Sequence, residues 1–438
     1  MTTPIAAILT SDLVGQVRGR AFPADEIDDY ARSGSGWVPA NLALDPFGRI
    51  IVPNPFGSIG DLRIMPDPAT RAAVANETGG QPVTAMLGDL VNPDGTPWDC
   101  CPRTFLRDAV RDLEEETGLR VISSFEHEFM LRDDDRVPGR KPFSLESLLT
   151  YEPLGSNVLQ ALRDAGLEPE MWLPEFGDRQ WEVTLAPAPA LQAADRAILL
   201  REIVRSVVRA AGERATFSPI VERDGGGNGV HIHLSFIDRE GTPVAYDPSR
   251  PGGLSAVAGS FAAGVLRHAT AFQALTASSG VSYERLAPGR WSVGGLFLGE
   301  NNREALLRIC PLFDTPGADH RKQFNLEYRG ADATANPWIA LGVLIRAGLE
   351  GVRAALPAPE VVSGDPAELS EQQLAAATHG RMPSSLGEAL DELQADETVT
   401  SWLPPRLLET FLTVKRAELA WHGSLSEPER YRVYAEAY

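Results

Sequence analysis

Apolar and polar residues alternate with a period of two in four short stretches of this 438-residue chain, the signature of strands with one apolar and one polar face. In FEHEF (125–129), Phe125, His127 and Phe129 point one way and Glu126 and Glu128 the other. In QWEVTL (180–185), Trp181, Val183 and Leu185 oppose Gln180, Glu182 and Thr184. In GVHIHLSF (229–236), Val230, Ile232, Leu234 and Phe236 oppose His231, His233 and Ser235. In FNLEYR (324–329), Phe324, Leu326 and Tyr328 oppose Asn325, Glu327 and Arg329.

Between these strands the period changes to that of a helix. In PRTFLRDAVRDLEEETG, Phe105, Leu106, Ala109, Val110 and Leu113 recur at helical spacing, and Gly118 stands where a C-cap belongs. Helices are also predicted over 193–211, near 255–277, and in ANPWIALGVLIRAGLEGV, with Asn336 as N-cap and Pro337 as its first residue. The last ~70 residues read mostly as helix, and 133–150 reads as loop-rich. Residues 1–98 differ from the rest: Pro and Gly interrupt short apolar runs such as GRIIVPN and PVTAMLGDLV, predicting short strands joined by turns. VNPDGTPWD (91–99) reads as a linker, which divides the chain into domains 1–98 and 99–438.

Sixty acidic side chains against 40 Lys and Arg give a net charge of −20, which excludes broad nucleic-acid binding. An anionic substrate would need a local basic pocket. Three cysteines (Cys100, Cys101 and Cys310) fit a reducing compartment without a disulfide framework. No apolar run approaches the ~20 residues of a membrane span, and the N-terminal MTTPIAAILTSD lacks the basic lead of a signal peptide. A cytoplasmic enzyme or binding protein is expected.

A solvated sheet face would explain any one of the four strands. Together, their polar faces are rich in metal ligands: Glu126, Glu128, Glu182, His231 and Glu327, with Glu175 available from the turn before QWEVTL. Carboxylates with one imidazole suit Mg²⁺ or Mn²⁺ better than zinc, and a cation would relieve the repulsion between Glu126 and Glu128. Two such ions commonly serve phosphoryl transfer. A basic set, Arg285, Arg303, Arg308, Lys322 and Arg329, falls within residues 285–329. Arginine forks among them suit phosphate or carboxylate. DGGGNG (224–229) leads into a strand and is not a P-loop.

The order E-x-E, E-x₆-E, N-G-x-H-x-H-x-S, R-L-x-P-G, N-R-x₄-R and E-x-R before A-N-P resembles glutamine synthetase of the bacterial class I type, over nearly the whole chain. The resemblance implies an α+β fold, with a small β-grasp-like N-terminal domain and a large catalytic domain whose curved antiparallel sheet forms a funnel backed by helices. It implies ATP as cosubstrate and two or more Mg²⁺ or Mn²⁺ ions. Glu128, Glu175 and Glu182 would hold one ion, and Glu126, His231 and Glu327 the second. His233, Ser235, Arg308 and Lys322 would lie about the nucleotide, and Arg285 and Gly229 about glutamate. Arg303 and Arg329 would contact substrate and the transferring phosphoryl group. A homo-oligomer of stacked hexameric rings is implied too.

The sequence departs from ammonia-using members at the amine site. The loop after R-L-x-P-G reads RLAPGRWSVGG, with Trp291 where they carry a glutamate. No F-D-G-S-S stretch occurs. The expected activity is therefore joining glutamate to an organic amine, resembling the γ-glutamylpolyamine branch, with Trp291 at the amine site. An ammonia-using glutamine synthetase and a non-catalytic oligomer of the same fold are the alternatives.

Overall fold

The computed structural model describes residues 3–74, 80–132, 141–287, 292–364 and 378–438. Two sheets organise them. The first comprises β1 (Ile5–Ser11), β2 (Val17–Pro23), β3 (Ser35–Trp37), β4 (Leu62–Pro66), β5 (Ala72–Val74) and β6 (Val83–Val91). Its order is β2-β1-β6-β4-β3, with β5 also on β6; β1 and β6 run parallel and the other pairs antiparallel.

The second sheet comprises β7 (Arg120–Arg132), β8 (Pro169–Pro174), β9 (Gln180–Leu185), β10 (Ala188–Pro189), β11 (Arg214–Thr216), β12 (Val230–Ile237), β13 (Gly295–Glu300), β14 (Ala305–Ile309), β15 (Leu326–Ala331) and β16 (Val361–Ser363). Its order is β16-β13-β14-β15-β12-β7-β9-β8, with β10 and β11 extending β7. Every pairing from β14 to β8 is antiparallel. β13 pairs in parallel with both β14 and β16, so the sheet expected to be antiparallel is mixed at one edge. The fold is α+β, as the resemblance implied.

The alternation explains the packing. Phe125, Phe129, Trp181, Val183, Ile232, Phe236, Leu326 and Tyr328 are all buried. Each such side chain contributes roughly 1.5–3 kcal/mol by leaving water. The helices Pro102–Thr117, Ala190–Ala210, Ala256–Thr276 and Pro337–Arg353 join the same core. Gly118 ends the first of them in the left-handed region, at φ 75°. Asn336 caps the last, its side chain accepting from the N–H groups of Trp338 and Ile339.

Two stretches differ from the sequence reading. Segment 91–99 is no loose tether: Trp98 is buried, its N–H donates to the Leu90 carbonyl at 3.1 Å, and its ring meets Phe56. Within 133–150, read as loop-rich, 133–140 lie outside the described residues, and Leu145–Thr150 forms a short helix whose cap Ser144 accepts from the Ser147 N–H at 3.1 Å. A helix of barely two turns is too short to show an apolar period.

Arg103 ties the first sheet to the helix Ala190–Ala210. Buried at the start of its helix, it donates to Asp195 at 3.0 and 2.8 Å and to Asp67 at 2.8 Å, and approaches Asp89 at 3.3 Å. Asp67 and Asp89 belong to the first sheet's strands and turns, and Asp195 to the helix Ala190–Ala210.

Candidate active site

Strand register assembles the polar faces. β7 and β12 place Glu126 opposite His231. β7 and β9 place Glu128 opposite Glu182. Glu327 on β15 lies opposite His233 on one side and Arg308 on the other. Glu175 follows β8, its N–H donating to the Gln180 carbonyl at 2.8 Å across a tight hairpin. All six expected metal ligands and His233 line one cavity of about 500 Å³, joined by Arg285, Arg303, Arg308 and Arg329.

The contacts define two donor groups. The ligand atoms of Glu126, His231 and Glu327 lie within 4.8 Å of one another, as do those of Glu128, Glu182 and His231. His231 Nδ1 stands 3.5 Å from both Glu126 Oε2 and Glu327 Oε1. Glu175 lines the same cavity outside these tight groups, its Oε2 accepting from the Phe176 N–H at 3.1 Å. Glu128 Oε2 accepts from the Gly229 N–H at 2.7 Å. A Cβ on Gly229 would crowd Arg285 and His231 at 3.1 and 3.2 Å, and one on Gly227 would meet Arg285 Cγ at 2.5 Å. The glycines of DGGGNG are thus needed for close approach.

The electrostatics divide the carboxylates. Burial opposes the ionisation of Glu126, but His233 and His231 outweigh it and hold its carboxyl well below the usual range. Burial likewise opposes Glu327, yet Arg329, His231, His233 and Arg308 bring it to about 2. Arg308 donates to its Oε2 at 2.6 Å and Arg329 to its Oε1. Burial, then the charges of Glu126, Glu128, Glu175 and Glu327, push Glu182 up to about 10. Burial and Glu128 push Glu175 to about 7. His233 is buried, which disfavours its charge, but Glu126, with Oε1 3.2 Å from Nε2, raises it well above 6.5.

Arg285 is almost wholly buried without a carboxylate bonded to it: its terminal nitrogens donate to Ser292 Oγ at 3.0 Å and the Ala331 carbonyl at 2.7 Å, while Nε finds no partner. Such a guanidinium suits an incoming anion.

Some expected residues sit elsewhere. Ser235 Oγ donates to the Phe324 carbonyl at 2.9 Å and does not line the cavity. Lys322 is exposed on the short helix His320–Gln323, also off the cavity. Trp291 lies outside the described residues. Other contributors were not among the expected site residues. Gln180 Nε2 donates to the Gly227 carbonyl at 2.8 Å and Asn228 Oδ1 at 3.0 Å, pinning the glycine loop. Its place on the polar face of QWEVTL was the available signal. Asn325 Oδ1 lies 2.8 Å from His233 Nδ1 and fixes the ring. Phe143, Leu173 and Phe176 add apolar surface to the cavity without a sequence pattern to announce them.

The donor set fits divalent cations. It is oxygen-rich with one imidazole, and a buried carboxyl held at about 10 lacks the positive charge that would ionise it. Among the described residues, no helix is long and apolar enough to cross a membrane.

Comparison with known proteins places this arrangement. Residues 99–434 match the family described as glutamine synthetase, catalytic domain, and residues 3–98 the glutamine synthetase N-terminal domain. A gamma-glutamylpolyamine synthetase, GlnA3 of Streptomyces coelicolor, is 33% identical over 93% of this chain and 88% of its own length. The glutamine synthetase of Methanocaldococcus jannaschii is 30% identical over 82% of this chain and 79% of its own. A crystal structure described as a novel glutamine synthase homolog is 40% identical, with TM-score 0.90 over 100% of this chain and 99% of that one. A GmaS/ADP complex is 26% identical, with TM-score 0.82 over 98% and 96%.

Proposed function

The chain belongs to the glutamine synthetase family of ATP-dependent ligases, and we propose that it joins the γ-carboxylate of glutamate to an organic amine. The reading rests on one observation above others: two donor groups sharing His231 face four arginines in a single cavity. That is an arrangement for polyphosphate, metal and carboxylate together.

In the proposed reaction, the γ-phosphoryl group of ATP passes to the γ-carboxylate oxygen of glutamate, leaving ADP and an acyl phosphate. The amine nitrogen then attacks the acyl carbon, inorganic phosphate leaves, and the nitrogen loses a proton. Glu126, His231 and Glu327 would hold one Mg²⁺ or Mn²⁺, and Glu128 and Glu182 with Glu175 the other. The ions supply charge neutralisation and Lewis acidity toward phosphoryl oxygens. Arg285 would receive a carboxylate of glutamate through its unpartnered Nε, with Gly229 leaving room beside it. Arg303 and Arg329 would stabilise the transferring phosphoryl group, and Arg308 and His233 the nucleotide phosphates. Ser235 and Lys322, off the cavity in this structure, would reach the nucleotide only at its edge. The stacked-ring assembly of the family is proposed for this chain as well.

Two things support the organic amine: similarity to a gamma-glutamylpolyamine synthetase over most of the chain, and Trp291 where ammonia-using members carry glutamate. Similarity to a glutamine synthetase at 30% identity carries the second reading, ammonia as the acceptor. Phosphate release from ATP and glutamate, measured over a panel of amines with ammonium as reference, separates them. A primary amine exceeding ammonium in kcat/KM is expected; ammonium as best acceptor would establish the second reading.

A further inference from the structure

We propose that Phe143, with Phe176 and Leu173 beside it, forms the surface that selects the amine. The amine it selects is a primary ammonium on an alkyl or arylalkyl chain of several carbons, in preference to ammonium or methylamine. The assignment rests on the ligase reading above and deepens it.

Three observations converge on Phe143. It lines the cavity that holds the carboxylates and arginines. Its side chain is 61% exposed, so core packing does not require a large apolar residue there. Its backbone sits at φ 56°, a region that glycine or asparagine occupies at lower cost and a bulky side chain rarely adopts. A phenylalanine at a position favouring neither its backbone nor its burial has its ring free for contact with a ligand. Phe176, 50% exposed, lines the same cavity directly after Glu175.

Sheet order gives these rings their chemistry. Arg308 and Arg329 stand on β14 and β15, toward one end of the antiparallel run. Glu182 stands on β9, and Leu173 and Glu175 lie at the end of β8, at the other. Arg308 and Arg329 repel a cation at their end of the cavity, and the aromatic and apolar side chains lie at the other. Ring faces attract an ammonium, and apolar surface favours the carbon chain that carries it. Ammonium and methylamine have too little carbon to use that surface.

The test compares 2-phenylethylamine, 1,4-diaminobutane, methylamine and ammonium as acceptors for the wild-type protein and for Phe143→Gly, Phe143→Ala and Phe143→Tyr. In the Gly and Ala variants, kcat/KM for the two long amines should fall about tenfold, while that for methylamine and ammonium changes by less than about threefold. Phe143→Tyr should restore the preference. The two long amines also separate an aromatic from a second cationic end as the better occupant. Phe143→Gly should melt no lower than wild type, since glycine relieves the backbone. Equal loss for all four acceptors, a lowered Tm in Phe143→Gly, or a change in assembly size would mark a structural role and overturn the assignment. Wild-type preference for ammonium would overturn both this and the organic-amine reading. A wild-type preference for long amines that survives Phe143→Gly would overturn the Phe143 assignment alone.

Discussion

Glu128 carries more of the site than its position in a strand suggests. Its Oε2 accepts from the Gly229 N–H at 2.7 Å and lies 3.4 Å from Gln180 Nε2, so it braces the glycine loop while belonging to a donor group. Removing the carboxylate relieves repulsion with Glu175 and Glu182 but deletes a ligand. Glu128→Ala should therefore lose at least about a hundredfold in turnover at saturating Mg²⁺, with circular dichroism and Tm close to wild type. Full activity in that variant would remove the metal assignment. The alternation in FEHEF already showed that Glu126 and Glu128 share a face. It did not show that Glu126 meets His231 and His233 while Glu128 meets Glu182, because partners are set by the register of strands distant in sequence. For the same reason Ser235 reads as part of the site but donates to the Phe324 carbonyl instead.

Elements were legible where one face is apolar and the ends are signalled. Asn336 shows how much a single signal can hold. Its Oδ1 accepts from Trp338 and Ile339, and its Nδ2 donates to the carbonyls of Ser11 and Asp12 at 3.1 and 2.9 Å, joining the helix start to the end of β1. Asn336→Ala loses a cap and leaves buried carbonyls unpaired, a cost of about 3 kcal/mol. Chemical denaturation should show it as a lowered midpoint with unchanged slope; an unchanged midpoint would mean water replaces the amide. The N-cap was readable from the sequence, but the contact to Ser11 at the end of β1, 325 residues away, was not. β13 also escaped notice. Its residues 296–299 are buried on both faces, so the period of two vanishes, and with it the clue to the parallel edge. The Leu145–Thr150 helix, which follows Phe143, gave too few residues for any period. The part of the cavity most relevant to amine choice is thus the part least visible in the sequence.

At the scale of the whole molecule, the site's unbalanced negative charge couples metal, pH and stability. Glu175 and Glu182 titrate at about 7 and about 10 in the fold, against 4.5 for an unhindered carboxyl. His233 is raised above 6.5. In all three the folded protein keeps protons that the unfolded chain releases first, so stability falls as pH rises through these windows. His127, the middle residue of FEHEF, buried on the face opposite its glutamates and held at about 3, acts oppositely, but its stabilisation is already complete above 6.5. The unopposed region therefore runs upward from 6.5. The Tm of the metal-free protein should fall between about pH 6.5 and about pH 9. Mg²⁺ or Mn²⁺ should raise it by an increment that grows over the same range, because a bound cation favours the ionised carboxylates. Glu182→Gln keeps the shape and removes the charge, so it should flatten the metal-free decline and shrink the cation's increment. Differential scanning calorimetry with and without chelator at several pH values measures all of these. A metal-free Tm that rises from pH 6.5 to pH 9 would mean that other groups, not the cavity carboxylates, govern the stability of this fold.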